Sequence, residues 1–153
     1  MAEFIGTHIH TLDEKGRVNV PAQFRRLLTG EDLYLNRELD DCLVLYQAEK
    51  WEQIRNGFER LSRSNRQHRR FLRWVGAKLR LLTVDAQGRI AIPADMQEAA
   101  GIRSEVMFLG QFDRIELWDP GKYEAYMSNE EESFEDIAET LDIDLKGGVW
   151  TGM

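Results

Sequence analysis

The chain has 153 residues, 42% hydrophobic and 31% charged, which fits one globular body or two small fused units and excludes a fibrous or low-complexity chain. Its longest apolar runs, such as residues 106–110, are strand-sized, which excludes a spanning helix and argues against a membrane partner. The N-terminal "MAEFIGTHIH" lacks the regions of a signal peptide, and the single Cys42 has no partner for an intrachain disulfide, so a cytoplasmic location is expected with Cys42 as a buried small hydrophobe.

The net charge of −7 is unevenly spread. Eight of the 27 acids fall in residues 129–144, and Lys146 is the one base among the 20 beyond residue 128, so residues 1–128 carry 19 of each sign. Between Gln53 and Val84 there are nine Lys/Arg residues and one acid, Glu59. The molecule is polarised: a locally basic stretch, a neutral body and an acidic tail.

In chain order, "FIGTHIHTL" alternates with a period of two and predicts a strand. "DEKG" is turn chemistry, because Asp accepts from amides ahead of it and Gly tolerates positive φ. "RVNVP" alternates again, with Val18 and Val20 on one face, and Pro21 ends the strand and opens a short helix, "AQFRRLL". "DLYLNREL" and "CLVLY" follow as strands, then a helix whose apolar stripe is Trp51, Ile54, Phe58 and Leu61. A second helix carries Arg66, Arg69, Arg70 and Arg73 on one face, with Phe71, Leu72, Trp74 and Val75 mostly on the others. That face is open to three readings: solvated, a subunit interface for acidic partners, or a phosphate-tracking surface.

The pattern then recurs. Residues 83–94, "TVDAQGRIAIPA", repeat residues 11–22, "TLDEKGRVNVPA", at an offset of 72, with Thr, Asp, Gly, Arg, Pro and Ala preserved in place. A short helix "ADMQEAA" closed by Gly101, strands "SEVMFLGQ" and "RIELW", and a helix from Pro120 with Tyr123 and Tyr126–Met127 inward complete the second copy. The predicted organisation is a first repeat at 5–61, an Arg-rich connector at 62–76, a second repeat at 77–128 and an acidic tail at 129–153, with Phe134, Ile137, Leu141, Ile143 and Leu145 spaced for an amphipathic helix.

Two D-x-x-G-R-x-x-x-P phrases 72 residues apart, each followed by a short helix and a "DCLVLY" or "DRIELW" strand, resemble the MraZ family of the SpoVT–AbrB group of bacterial transcription factors. The resemblance covers residues 4–128 and leaves the acidic tail outside the shared pattern. It implies an α+β fold, a swapped-hairpin AbrB-like β-barrel formed by the two repeats as an internal pseudo-dimer with flanking helices. It also implies ring-like homo-oligomers that bind repeated promoter sites, as double-stranded DNA, upstream of the division and cell-wall gene cluster, in the cytoplasm at the nucleoid.

Carried over from the family motif, Arg17 and Arg89 are the leading DNA contacts, with Lys15 and Gln87 flanking them. Asp13, Gly16, Asp85, Gly88, Pro21 and Pro93 take the motif's structural roles, each Asp either capping its turn or steering the arginine four residues on. A two-stranded ribbon enters the major groove, where a guanidinium pairs with guanine O6 and N7. Arg25 and Arg26 are placed to reach phosphate and their counterparts Gln97 and Glu98 are not, which favours the first copy as the DNA-facing one. His8 and His10 share a strand face, but neither C-x-x-C nor H-E-x-x-H accompanies them, and no catalytic phrase occurs. The expectation is therefore no metal, no cofactor, no small-molecule substrate and no enzyme. The alternative is an AbrB-type antitoxin or other protein-interaction module, against which the full internal duplication weighs.

Overall fold

Alternation at Thr7–Thr11 and a near-continuous apolar run at Leu43–Tyr46 produce two kinds of strand, one at a sheet edge and one inside it. The computed structural model describes residues 3–128 and 133–141. The first repeat contains β1 (Thr7–Thr11), β2 (Arg17–Asn19), α1 (Ala22–Arg25), β3 (Asp32–Arg37), β4 (Leu43–Gln47) and α2 (Ala48–Gly57), which runs into a 3-10 turn at Phe58–Arg60. After α3 (Arg66–Lys78) come β5 (Arg80–Thr83), β6 (Arg89–Ala91), α4 (Ala94–Ala99), β7 (Glu105–Gly110), β8 (Ile115–Trp118), α5 (Pro120–Met127) and α6 (Phe134–Thr140). The chain divides into two units, Met1–Tyr123 and Glu124–Met153.

Six strands form one antiparallel sheet in the order β1-β7-β8-β4-β3-β5. Exchanging the repeats turns this order into itself, since β1 answers β5, β7 answers β3 and β8 answers β4. Yet β1 of the first repeat pairs with β7 of the second, and β5 of the second with β3 of the first. The outer strands are swapped between repeats. Val18 faces Ile90 and Val44 faces Glu116, each pair 72 apart, so a pseudo-two-fold axis passes through both pairs. β3 and β7 correspond at 73 instead: Tyr34 faces Leu81 while Met107 faces Ile9, because the stretch from proline to strand is one residue longer in the second copy.

The expectation of a closed barrel is corrected here. The sheet is open, with edges at β1 and β5, and β2 pairs with β6 as a separate two-stranded ribbon. Among the described residues β2 and β6 pair with one another and with neither sheet edge, and two residues beyond each strand Pro21 or Pro93 lacks the amide N–H that would extend its ladder.

The ribbon and the two short helices cover one face of the sheet. Val18, Ile90, Phe24 and Met96 from that layer meet Leu35, Phe108 and Leu117 from the sheet, all of them fully buried. Each such side chain is worth about 1.5–3 kcal/mol relative to exposure. On the other face α2 and α3 cover the first-repeat half, where Trp51 stacks on Tyr34 at 5.8 Å and packs with Val44 and Tyr46. Over the second half Trp118 and Tyr123 meet edge-on at 5.3 Å, above Cys42 and Met107. Cys42 is buried, as expected, and burial pushes its thiol pKa up.

Several helices depart from the sequence pattern. The first short helix is a single turn, Ala22–Arg25, rather than running on through Leu28. Asn65 caps α3 by accepting from the amides of Gln67 at 2.9 Å and His68 at 3.1 Å. Trp74, expected away from the arginines, stands among them: the Arg70 guanidinium lies 5.0 Å from its ring centre, while Arg69 is half-buried. Tyr126 and Met127, expected inward, are exposed. In the second unit, Ser133 caps α6, leaving Phe134, Ile137 and Leu141 exposed, while Ile143 and Leu145 lie outside the described residues.

Candidate nucleic-acid interface

Each D-x-x-G-R phrase folds as a tight hairpin. The Gly16 amide donates to the Asp13 carbonyl at 3.0 Å and the Asp13 amide to the Arg17 carbonyl at 2.9 Å, a turn closed by glycine at φ +76°. The second copy repeats this with Gly88 to Asp85 and Asp85 to Arg89, both at 2.9 Å, and Gly88 at φ +80°. Inside each turn the aspartate does two jobs at once. Asp13 Oδ1 accepts from the Lys15 amide at 2.9 Å and the Arg17 amide at 2.8 Å, while Oδ2 holds Arg17 Nε at 2.6 Å. Asp85 does the same for Gln87 and Arg89, with all three contacts at 2.9 Å. The Arg17 amide bond is the first cause holding the Asp13 pKa below its ordinary value, and the Arg89 amide plays that part for Asp85. The alternatives of capping the turn and steering the arginine are thus both realised.

The carboxylate grips each arginine by Nε. Among the described residues neither Nη group of Arg17 or Arg89 donates to a protein acceptor, so the outer edge of each guanidinium is available for a ligand. Val18 and Ile90 turn into the core, which puts Arg17, Asn19, Arg89 and Ala91 together on the opposite, outer face of the ribbon. Arg17 lies across from Ala91 and Arg89 across from Asn19. The two arginines are therefore offset by two residues, about 7 Å, along the ribbon. Lys15 and Gln87 are exposed on the turns that flank this face.

The strand swap changes the setting of the turns. The ribbon extends through the Ile92 amide to the Gly16 carbonyl and the Val20 amide to the Gly88 carbonyl, both at 2.9 Å. Arg25 donates to the Val20 carbonyl at 3.2 Å, and its guanidinium packs against Gly88 of the second turn. Its counterpart Gln97 donates to the Ile92 carbonyl at 2.7 Å and packs against Gly16 of the first. A cleft of about 550 Å³ beside the second turn is lined by Arg25, Thr29, Glu31 and Gln87 among others. Arg25 therefore lies with the second hairpin, and the sequence argument that it marks the first copy as the DNA-facing one loses its support. Arg26 is exposed at the end of α1.

Sequence reasoning passed over Gln97 because it compared charge at the two positions. The shared property is a long side chain with an N–H donor, which the offset of 72 from Arg25 displays. It also passed over Asn19, which the period of two places on the face of Arg17. His8 and His10 face inward and meet Phe24 and Phe108 edge-on, with ring centres 5.1 and 6.0 Å apart, so both have packing roles.

Two hairpins of one motif, paired across a pseudo-two-fold and each followed by a proline-started helix, define an internally duplicated protein whose two copies make one body. The family model described as "MraZ protein, putative antitoxin-like" matches residues 4–74 and 79–144, and the chain belongs to the MraZ family. Over 138 residues it is 41% identical to the transcriptional regulator MraZ of Thermoanaerobacter sp. (strain X514), spanning 90% of this chain and 96% of that one. It is 38% identical, with the same coverage, to that of Acetivibrio thermocellus, and 36% identical over 142 residues to that of Syntrophomonas wolfei subsp. wolfei, spanning 93% and 98%. The family match takes in part of the Arg-rich segment in its first stretch and the acidic segment to residue 144 in its second. The acidic segment, expected to fall outside the shared pattern, is in large part within it.

Proposed function

We propose that the chain is a sequence-specific DNA-binding transcriptional regulator that reads the major groove with the outer face of the β2–β6 ribbon. The observation that carries this reading is the pair of arginines gripped at Nε by Asp13 and Asp85, with their Nη edges outward. A guanidinium held in this way has little rotamer freedom left to lose on meeting guanine O6 and N7, where one bidentate contact discriminates by about 1–3 kcal/mol. The offset of about 7 Å between the two corresponds to about two base steps, so each chain reads a short pseudo-symmetric element. Lys15, Arg25 and Arg26 serve the phosphates alongside, with Gln87 flanking the second turn.

One ribbon makes few contacts, so the proposal includes a homo-oligomer, a ring, engaging repeated sites multivalently in the promoter of the division and cell-wall cluster, at the nucleoid. Two observations support association between copies. Ile5 and Ile9 stand exposed along the β1 edge, at 63% and 54%. The exposed basic helix α3 and the exposed acidic helix α6 have opposite charge, which suits contact between one copy and another.

Titration of the purified protein against its own upstream DNA and a scrambled duplex tests the reading. The expected result is a preference for the upstream DNA and an affinity that falls steeply as salt rises, as phosphate contacts require. Equal affinity for both duplexes overturns it, and capture of the product of an adjacent toxin-like gene without DNA binding would favour the antitoxin reading.

A further inference from the structure

The two reading hairpins are each steadied from the opposite repeat. Gln97, on α4 of the second repeat, donates to the Ile92 carbonyl, and the Ile92 amide in turn holds the Gly16 carbonyl of the first turn. A Cβ on Gly16 would come within 2.6 Å of Gln97 Nε2 and 3.0 Å of the Ile92 carbonyl oxygen, so side chain, carbonyl and turn are in close contact. Arg25, on α1 of the first repeat, does the same through Val20 for Gly88, where a Cβ would meet Nη1, Cζ and Cδ of its guanidinium arm.

We propose that Gln97 and Arg25 are positioning residues for the DNA-reading hairpins, each acting across the repeats, and that Arg25 also supplies the second hairpin with a cation its own turn lacks. The proposal rests on the DNA-binding reading above. Beside its Asp13–Arg17 pair the first turn carries Glu14 and Lys15; beside Asp85–Arg89 the second carries the neutral Ala86 and Gln87, and Arg25 arrives against Gly88 from the other repeat. Residues 13–17 and 85–89 are each net neutral by sequence, so what the swap evens out is the presence of a cation beside the gripped arginine, Lys15 at the first turn and Arg25 at the second. One position has split its tasks: a neutral donor suffices beneath the turn that has its own lysine, and a charged donor stands beneath the turn that has none.

The test has an arm without DNA. In full-length Gln97→Ala, amide exchange at Lys15 and Arg17, both of which donate to Asp13, is expected to accelerate about tenfold while Gln87 and Arg89 keep wild-type protection; Arg25→Ala is expected to give the reverse pattern. Unchanged exchange, or acceleration confined to the repeat that carries the substitution, overturns the positioning role. Gln97→Arg, which places the residue of position 25 at its counterpart, is expected to restore protection, and its failure to do so while Gln97→Ala remains folded also counts against the proposal. On upstream DNA, Arg25→Gln keeps the donor and removes the charge, so the slope of log affinity against log salt is expected to fall by about 0.9 with hairpin protection retained. An unaltered slope overturns the cation role. Absence of DNA preference in the wild type would overturn the DNA-binding reading instead and leave the exchange result standing.

Discussion

The two D-x-x-G-R hairpins are alike in every internal bond and unlike in their surroundings. Both arginines are held at Nε by an aspartate, at 2.6 Å in the first and 2.9 Å in the second, and both turns close on a glycine in the left-handed region. What differs is the residue beneath, an amide in one case and a guanidinium in the other, and each comes from the opposite half of the chain. A duplicated motif therefore cannot be assessed from its own neighbours in sequence once strands are exchanged.

The broadest way to break this comparison is through the core, where the halves share one sheet. Phe108 on β7 and Leu35 on β3 occupy corresponding buried positions on the two sides of the pseudo-two-fold. Truncation to alanine is expected to cost about 3–5 kcal/mol for Phe108 and 2–5 kcal/mol for Leu35. Because the outer strands are swapped, urea unfolding followed by circular dichroism and tryptophan fluorescence is expected to stay a single coincident transition in both variants. Separate transitions would mean that the repeats are independent.

Next in size are the turn glycines. Alanine at either adopts an unfavourable left-handed backbone at about 1–2 kcal/mol. The cost is expected to be greater for Gly16→Ala than for Gly88→Ala, because the new methyl meets the Ile92 backbone carbonyl at Gly16 but only the movable Arg25 side chain at Gly88. Midpoints in urea rank the two directly, and the opposite order would show that Arg25 is locked more firmly than its 3.2 Å bond to the Val20 carbonyl implies.

Smaller still is an asymmetry at the far hairpins. Asp113 is held at a pKa of about 2, against an ordinary 3.8, first by its hydrogen bond from Arg114 and then by Lys50, whereas among the described residues its counterpart Asp41 pairs only with Arg37, at 3.5 Å. A depressed carboxylate contributes stability that is complete above pH 3.8 and is lost as pH falls toward 2. Asp113→Asn is therefore expected to flatten the acid limb of a stability–pH profile more than Asp41→Asn does. Smallest of all, Arg70→Ala on α3 is expected to alter stability by no more than about 0.5 kcal/mol, since its guanidinium lies over an exposed Trp74.

Much of the architecture is legible in the sequence because each element carries a local signal. Alternation marks β1, the Asp–Gly spacing marks the turns, and Pro21 and Pro93 mark the helix starts to the residue. The doubling at 72 announces the pseudo-two-fold, and the aspartate–arginine grip follows from four-residue spacing around a turn. The open sheet was not legible, because alternation and turn spacing mark β2 and β6 as strands without telling which strands they pair with. The place of Arg25 was misjudged for a related reason: it lies eight residues after Arg17 in the chain but against Gly88 in the fold. Tyr126 and Met127 have helical spacing after Tyr123 yet are exposed, because spacing alone does not tell which residues of a helix are covered.

The central claim is that both hairpins read DNA as a matched pair. Fluorescence-anisotropy titration of wild type, Arg17→Ala and Arg89→Ala against the protein's own upstream DNA and a scrambled duplex tests it most directly. Each variant is expected to lose affinity for the upstream DNA by about 10- to 100-fold, the loss of one base contact, with the two losses within about threefold of one another and a much smaller change on the scrambled duplex. Retention of wild-type preference by either variant would contradict the claim.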